Sequence, residues 1–91
     1  MGPVIEHNRT ARRFHAVIDG HRCVLDYRLT GGRMSIVHTR VPSEVGGRGI
    51  AASLTRAAVD AARGAGWKIE PLCSYARVWF ERNPEHQDLL T

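Results

Sequence analysis

Apolar and polar residues alternate along the first forty positions of the chain, in three successive segments. Asp19-Gly20 separates the first two segments, and Thr30-Gly31-Gly32 separates the last two. Alternation with a period of two is typical of half-buried strands, and Asp-Gly and Gly-Gly pairs favour tight hairpin turns. The pattern therefore predicts an antiparallel meander of three strands. In the last strand, Met34, Ile36 and His38 are expected to share one face. The three segments cover residues 14–18, 22–29 and 34–41.

The period becomes helical after position 49, and Gly64 and Gly66 are expected to end this first helix. The segment 67–73 then predicts a short strand, after which Ser74 is expected to cap a second helix that Asn83-Pro84 stops. That helix would carry Tyr75, Val78 and Trp79 on one side. The resulting order, β-β-β-α-β-α, predicts one layered α/β (α+β) domain over residues 1–91. The predicted apolar stripe of the first helix is Ile50, Leu54, Ala57, Ala58, Ala61 and Ala65.

Composition and charge narrow the classes of partner. The chain has 91 residues, of which 43% are hydrophobic and 24% charged, as is ordinary for a soluble globular domain. A formal net charge of +4 favours anionic ligands such as nucleotides. The chain has no uninterrupted basic run, no zinc-finger spacing and no aromatic-rich basic strand, so only its charge favours a nucleic-acid-binding module. A nucleic acid partner is therefore the least favoured alternative.

The N-terminus has no signal-peptide pattern and the chain has no apolar stretch of membrane-spanning length, so a cytoplasmic protein without membrane contact is expected. Cys23 and Cys73 lie fifty positions apart, outside any Cys-x-x-Cys pair, which predicts free thiols. Four of the histidines, His7, His15, His21 and His86, lack metal-ligand spacing. No metal is expected.

One segment, residues 41–51, indicates chemistry. Gly46, Gly47 and Gly49 precede the predicted helix start, where unpaired backbone N–H groups and the helix dipole favour an anion. Arg48 adds a charge that suits a phosphate oxygen. Taken alone, the segment is equally compatible with a flexible turn before a helix.

Three classes of phosphate-binding loop compete for this segment. A nucleoside-triphosphatase loop requires Gly-Lys-Ser/Thr, but Gly49 is followed by Ile50 and Ala51. A dinucleotide fingerprint is met by residues 47–52, with Glu70 at a suitable distance. That fold, however, needs repeated βαβ units, whereas the strands here are linked by hairpins and the chain is short. The acyl-coenzyme A loop is the third class.

Residues 41–51 resemble the (Arg/Gln)-x-x-Gly-x-(Gly/Ala) loop of the Gcn5-related N-acetyltransferase (GNAT) superfamily, in which a strand and a proline-containing bend lead to a long helix. Gly49 and Ala51 match the last two determinants, and Gly46 replaces the usual Arg or Gln. Further matches in the same order make the chain similar to the miniature, single-domain YjdJ-like branch from about Glu6 to Leu90. These further matches are the segment 71–75, Asn83-Pro84-Glu85 and Asp88-Leu89.

The resemblance implies an acetyl-coenzyme A-dependent N-acetyltransferase that transfers acetyl to an unidentified amine by direct attack in a ternary complex. Coenzyme A would be a cosubstrate: the glycine loop would hold its pyrophosphate, and the end of the third strand would pair with its pantetheine arm. Asn83 would flank the coenzyme, or would only stop the second helix. The residues expected to bind the coenzyme are Thr39, Val41, Gly46, Gly47, Arg48, Gly49, Ile50, Ala51 and Asn83.

Three side chains are candidates for catalysis. Cys73 would lie near the acetyl group, as a transient acyl acceptor or a contact, or would be a small buried residue. Tyr75 would donate a proton to the departing thiolate, or would only pack. His38 is the candidate base, because Arg40 stands where relatives often carry a glutamate, although a strand histidine is also often packed or solvated.

Gly46, Arg40 and the absence of the helices that build the acceptor site in larger relatives suggest an alternative. The chain would then be a non-catalytic acyl-coenzyme A-binding or regulatory domain. We expect a monomer or a weak dimer.

Overall fold

The computed structural model describes residues 3–91 and has one five-stranded sheet with the strand order β1-β2-β3-β4-β5. The first four strands are antiparallel neighbours, and β5 lies parallel to β4. This confirms the predicted meander and the mixed α/β class. β1 was not predicted, because three residues are too few to show a period. The strands are β1 (Glu6–Asn8), β2 (Arg13–Ile18), β3 (His21–Thr30), β4 (Arg33–Arg40) and β5 (Lys68–Pro71).

Two helices, α1 (Ile50–Ala65) and α2 (Ser74–Arg82), accompany the sheet, and two short 3-10 helices cover Ser43–Val45 and Pro84–Leu89. The helix α1 begins where the sequence predicts. It runs through Gly64 and ends at Ala65; the C-cap residue is Gly66, whose φ of 75° is left-handed and whose N–H donates to the carbonyl of Ala62. A glycine in this conformation is a common helix terminator.

The core lies between the helices and one face of the sheet. Leu25, Met34 and Ile36 of the sheet are fully buried, as are Leu54 and Ala58 of α1. The helix α1 contacts β2 to β5, and α2 contacts β4 and β5. We call the face of the sheet that both helices contact the helix side. We call the opposite face the outer side, and it carries charged side chains of β2, β3 and β4.

A β-bulge in β4 reverses the alternation predicted for that strand. Tyr27 pairs with Ile36, but Asp26 pairs with His38, so Val37 has no partner residue in β3. One extra residue moves every later side chain to the other face. The prediction that His38 shares a face with Met34 and Ile36 is therefore wrong: His38 lies on the outer side, beside Asp26.

The second helix differs from its prediction in its cap and its buried face. The N-cap residue is Cys73, whose Sγ accepts a hydrogen bond from the N–H of Ala76 at 3.4 Å, and Ser74 is the first helical residue. The buried residues are Ala76, Trp79 and Phe80. The predicted set was one residue earlier, and both sets have helical spacing, so packing against the core decides between them.

Candidate active site

The strands β4 and β5 separate halfway along β4. Their ladder runs from Arg33–Lys68 to Ile36–Pro71. The Ile36 carbonyl then accepts hydrogen bonds from both Leu72 and Cys73, at 3.0 Å each, as the chain turns into α2. The strand β4 continues to Arg40 and stays paired with β3.

This separation leaves a gap beside the last four residues of β4. An antiparallel strand directs alternate pairs of N–H and C=O groups to its two sides. Half of the backbone groups in residues 37–40 therefore point away from β3, toward a side where no strand lies in the part of the chain that the structure describes. The bulge at Val37 and the end of β5 at Pro71 both lie where the gap begins.

Thr39 and Cys73 meet across this gap. The bulge places Thr39 opposite the fully buried Leu25, and so on the helix side. Its Oγ1 lies 3.6 Å from the Sγ of Cys73. Cys73 is a free, half-buried thiol, and Cys23 is free and fully buried in the core. The structure thus brings together the predicted pantetheine-side residue and the predicted thiol.

The glycine segment forms a cleft at the start of α1. Its backbone is held by the short 3-10 helix at Ser43–Val45, where Val45 is buried in the core. Gly47 and Gly49 have φ values of 78° and 73°, which strain any other residue. The cleft has a volume of about 250 Å³. It is lined by Val41, Gly46, Gly47, Gly49, Ile50, Ala51, Ala52 and Tyr75.

The start of α1 is uncapped. Its N-cap residue is Gly49, which has no side chain to accept a hydrogen bond, and the first turn contains no acidic residue. The first helical hydrogen bond runs from the N–H of Ser53 to the Gly49 carbonyl. The N–H groups of residues 50–52 therefore have no acceptor within the helix. The partial positive charge of the helix dipole lies at this end of α1, beside the cleft. Sequence reasoning missed Ala52, which counting the first helical turn would have included.

Arg48 does not line this cleft. Its Nη1 lies 2.8 Å from Oδ2 of Asp19, at the tip of the β2–β3 hairpin, and both side chains are at least half exposed. Exposed ion pairs contribute little to stability, so a ligand can compete for this guanidinium. A phosphate contact by Arg48 stays a prediction that requires the side chain to leave Asp19.

Tyr75 lies in the cleft with its side chain about one-third exposed. Burial raises the pKa of its phenol; Arg82 opposes this shift, and Cys73 adds to it. A raised pKa keeps the phenol protonated through neutral pH. A proton donation by Tyr75 stays a prediction.

His38 and Asn83 lie away from this group. His38 faces the outer side, where it lines a second cleft with Arg40. Asn83 ends α2, and its Nδ2 donates to the carbonyl of Trp79 at 2.8 Å. Asn83 therefore acts as the helix stop, and its contact with a coenzyme stays a prediction.

A family model for the GCN5-related N-acetyl-transferases matches residues 13–89. The chain belongs to this family. It is similar to Protein NATD1 of Mus musculus, with 37% identity over 92 residues, covering 97% of this chain and 84% of the relative. Protein NATD1 of Homo sapiens is 36% identical over 88 residues, covering 93% and 78%.

The fold of the family is also seen in a solved structure. The solution NMR structure of a Staphylococcus aureus protein, assigned as a GCN5-like N-acetyltransferase, matches with a TM-score of 0.77 and 28% identity. The match covers 97% of this chain and 87% of that one. Together with the family model, it confirms the fold and the superfamily that the glycine loop and its flanking motifs predicted.

Within residues 3–91, no helix is both long and apolar enough to cross a bilayer. In the same part of the chain, no group of three or more His, Cys, Asp or Glu side chains is placed to hold a metal ion.

Proposed function

We propose that this chain is a single-domain, acetyl-coenzyme A-dependent N-acetyltransferase that acts by direct attack of an amine in a ternary complex. The observation that carries the proposal is the position of the gap. The Thr39–Cys73 contact at the gap and the uncapped start of α1 lie on the same side of the sheet. Val41 and Tyr75 line the cleft at the start of α1, and each lies two residues after a member of this contact pair. A long ligand with an anionic end fits this arrangement.

The backbone supplies most of the coenzyme contacts in this proposal. The N–H groups of residues 50–52, approached over Gly47 and Gly49, bind the pyrophosphate. The open backbone groups of residues 37–41 pair with the amides of the pantetheine arm, as an added strand would. This pairing leads the arm into the gap between Thr39 and Cys73.

Acetyl-coenzyme A supplies the acetyl group as a thioester. The gap orients its carbonyl, and exclusion of water there favours transfer to an amine over hydrolysis. The amine nitrogen forms the new bond to the acetyl carbon as the carbon–sulfur bond breaks, and the nitrogen gives its surplus proton to a base, for which His38 is the candidate. Tyr75 donates its proton to the departing sulfur. Cys73 contacts the reacting group and caps α2, without itself being acylated.

A second function is favoured by the charge of the cleft. Gly46 stands where the family usually carries Arg or Gln, and Arg48 is paired with Asp19. The cleft consequently has no cationic side chain among the residues that line it. A non-catalytic acyl-coenzyme A-binding or regulatory domain would need only this weaker binding of the pyrophosphate.

Two measurements test these functions. Calorimetric titration with acetyl-coenzyme A should show binding, and no heat at high micromolar ligand would refute both. A thiol-release assay over a panel of amines then separates them, because only a transferase releases free coenzyme A faster than the buffer control. Binding without release for every amine would favour the regulatory domain.

A further inference from the structure

A second cleft lies on the outer side of the sheet, next to the end of β4. Its volume is about 420 Å³. Where the first cleft is lined by apolar side chains and glycines, this one is mostly charged. Its lining residues are Arg13, Arg22, Val24, Asp26, His38, Arg40 and Pro42.

The charges in this cleft do not cancel. Asp26 accepts two hydrogen bonds from Arg13, at 2.6 and 3.2 Å, and so neutralises that guanidinium. Within residues 3–91, neither Arg22 nor Arg40 has a carboxylate within 4.0 Å. One cleft therefore holds two uncompensated guanidinium groups.

The sheet register places these two arginines as neighbours. Arg40 pairs with Val24, and Arg22 lies two residues before Val24 on the same face of β3. Diagonal positions of this kind lie roughly 7–8 Å apart, within reach of two long side chains that converge on one ligand. Guanidinium groups bind carboxylate and phosphate oxygens through paired N–H donors, so the pair suits a single oxyanion.

The cleft also borders the proposed reaction site. His38 and Arg40 belong to residues 37–40, whose β5 side is the open gap. The coenzyme cleft lies on the helix side of this stretch and the arginine cleft on its outer side. A ligand held by the arginines would thus reach the gap from the face opposite the coenzyme.

We propose that the cleft binds the anionic group of the acceptor, which is a small amine that also carries a carboxylate or a phosphate. This inference rests on the proposed acetyl transfer. It places His38 on the acceptor's side, where its ring is positioned to take the proton that the amine loses. It also predicts that polyamines are poor acceptors, because Arg22 and Arg40 repel a second ammonium group.

Matched acceptors test the charge preference. γ-Aminobutyrate and putrescine share a four-carbon chain and one amine, and differ in the second terminus. We expect kcat/KM for γ-aminobutyrate to be at least about tenfold higher, the size of one charge-assisted hydrogen bond. Phosphoethanolamine compared with ethanolamine tests a phosphate in the same way. The anionic group that gives the larger gain in kcat/KM identifies whether the acceptor carries a carboxylate or a phosphate. Equal rates, or faster transfer to putrescine, would overturn the inference.

Variants locate the effect. Arg22→Gln and Arg40→Gln should each raise the KM for phosphoethanolamine about tenfold more than the KM for ethanolamine. Arg40→Glu should reverse the preference toward putrescine. Arg28→Gln is the matched control, because Arg28 is an exposed arginine on the same face of β3 that does not line the cleft. A loss of activity with Arg28→Gln as large as with Arg40→Gln would count against a specific site.

A binding measurement separates this inference from the proposed function. γ-Aminobutyrate or inorganic phosphate, titrated into the labelled protein, should shift amide resonances of residues 22–26 and 38–42. Such shifts without acetyl transfer to any amine would refute the transferase and support the anion site. Acetyl transfer to amines without any shift in these residues would refute the anion site alone.

Discussion

Replacing Gly49 with tryptophan tests whether a phosphate binds at the start of α1. Gly49 has a φ of 73°, and no atom lies within 4 Å of the position that a Cβ would take. Gly49 itself lines the cleft, so we expect an indole at this position to cover the N–H groups of the first helical turn. A hydrogen bond to a charged group is worth about 1.5–3 kcal/mol, so losing one should raise the Kd for acetyl-coenzyme A about ten- to hundredfold.

The same substitution also strains the backbone. A left-handed conformation costs a non-glycine residue about 1–2 kcal/mol. In a domain of this size each kcal/mol lowers Tm by about 4–8 °C, so we expect a fall of roughly 5–15 °C. This loss of stability needs a control, because a partly unfolded protein also binds less.

Gly32→Trp is the matched control. Gly32 has a φ of 77° and equally open surroundings, in the β3–β4 turn. That turn is at the opposite end of β4, roughly 25 Å from the cleft by the rise of a strand. Differential scanning fluorimetry should show similar falls in Tm for both variants, and calorimetry should show lost coenzyme binding for Gly49→Trp alone.

Two results would refute this reasoning. Acetyl-coenzyme A binding by Gly49→Trp with the wild-type Kd would mean that the pyrophosphate does not lie at the start of α1. Equal loss of binding in both variants would mean that lowered stability, rather than a blocked site, is the cause.

Three further predictions concern the neighbouring side chains. Cys73→Ser keeps an acceptor for the N–H of Ala76, so this variant should retain turnover and Tm. Cys73→Ala removes the cap and should lower the free energy of unfolding by about 1 kcal/mol. Abolished turnover in Cys73→Ser with unchanged coenzyme binding would instead indicate an acyl-enzyme. Tyr75→Phe should lower kcat about a hundredfold without changing the Kd, as expected for a proton donor. Because only the protonated phenol donates, wild-type kcat should fall as pH rises through the raised pKa of Tyr75, above its usual 10.0, and the variant should lack that fall. The Arg63 hydrogen bond lowers the pKa of Asp88 below its usual 3.8, so its stabilising contribution is present above that pH and lost as pH falls through the lowered value. Denaturant midpoints of Asp88→Asn should therefore vary less with pH in this acid range, and an unchanged acid dependence would contradict the assignment.

The sequence was sufficient for the parts of the fold that follow local rules. The Asp19-Gly20 and Gly31-Gly32 turns have positive φ at all four residues, as two-residue hairpins require. The start of α1 at Ile50 follows from its period. These features depend on residues a few positions apart, which a sequence pattern contains.

The candidate site was predicted less completely than the fold. The glycine positions were anticipated from the loop itself, and the neighbourhood of Thr39 and Cys73 was anticipated from the resemblance to the family. The direction of Arg48 was not, because it depends on the tip of a hairpin that is distant in sequence. The arginine cleft was also missed: Arg22 and Arg40 are eighteen positions apart, and only the β3–β4 register makes them neighbours.

By itself, the sequence determined the order of the elements from β2 to α2, the hairpin turns and the position of the glycine loop, because glycine conformation and hydrophobic period act over a few residues. The tertiary structure alone decided the face of His38, the buried side of α2 and the gap between β4 and β5. Each of these depends on pairing or packing between distant segments. A single unpaired residue, Val37, was enough to move the side chains at the end of β4 to the opposite faces of the sheet.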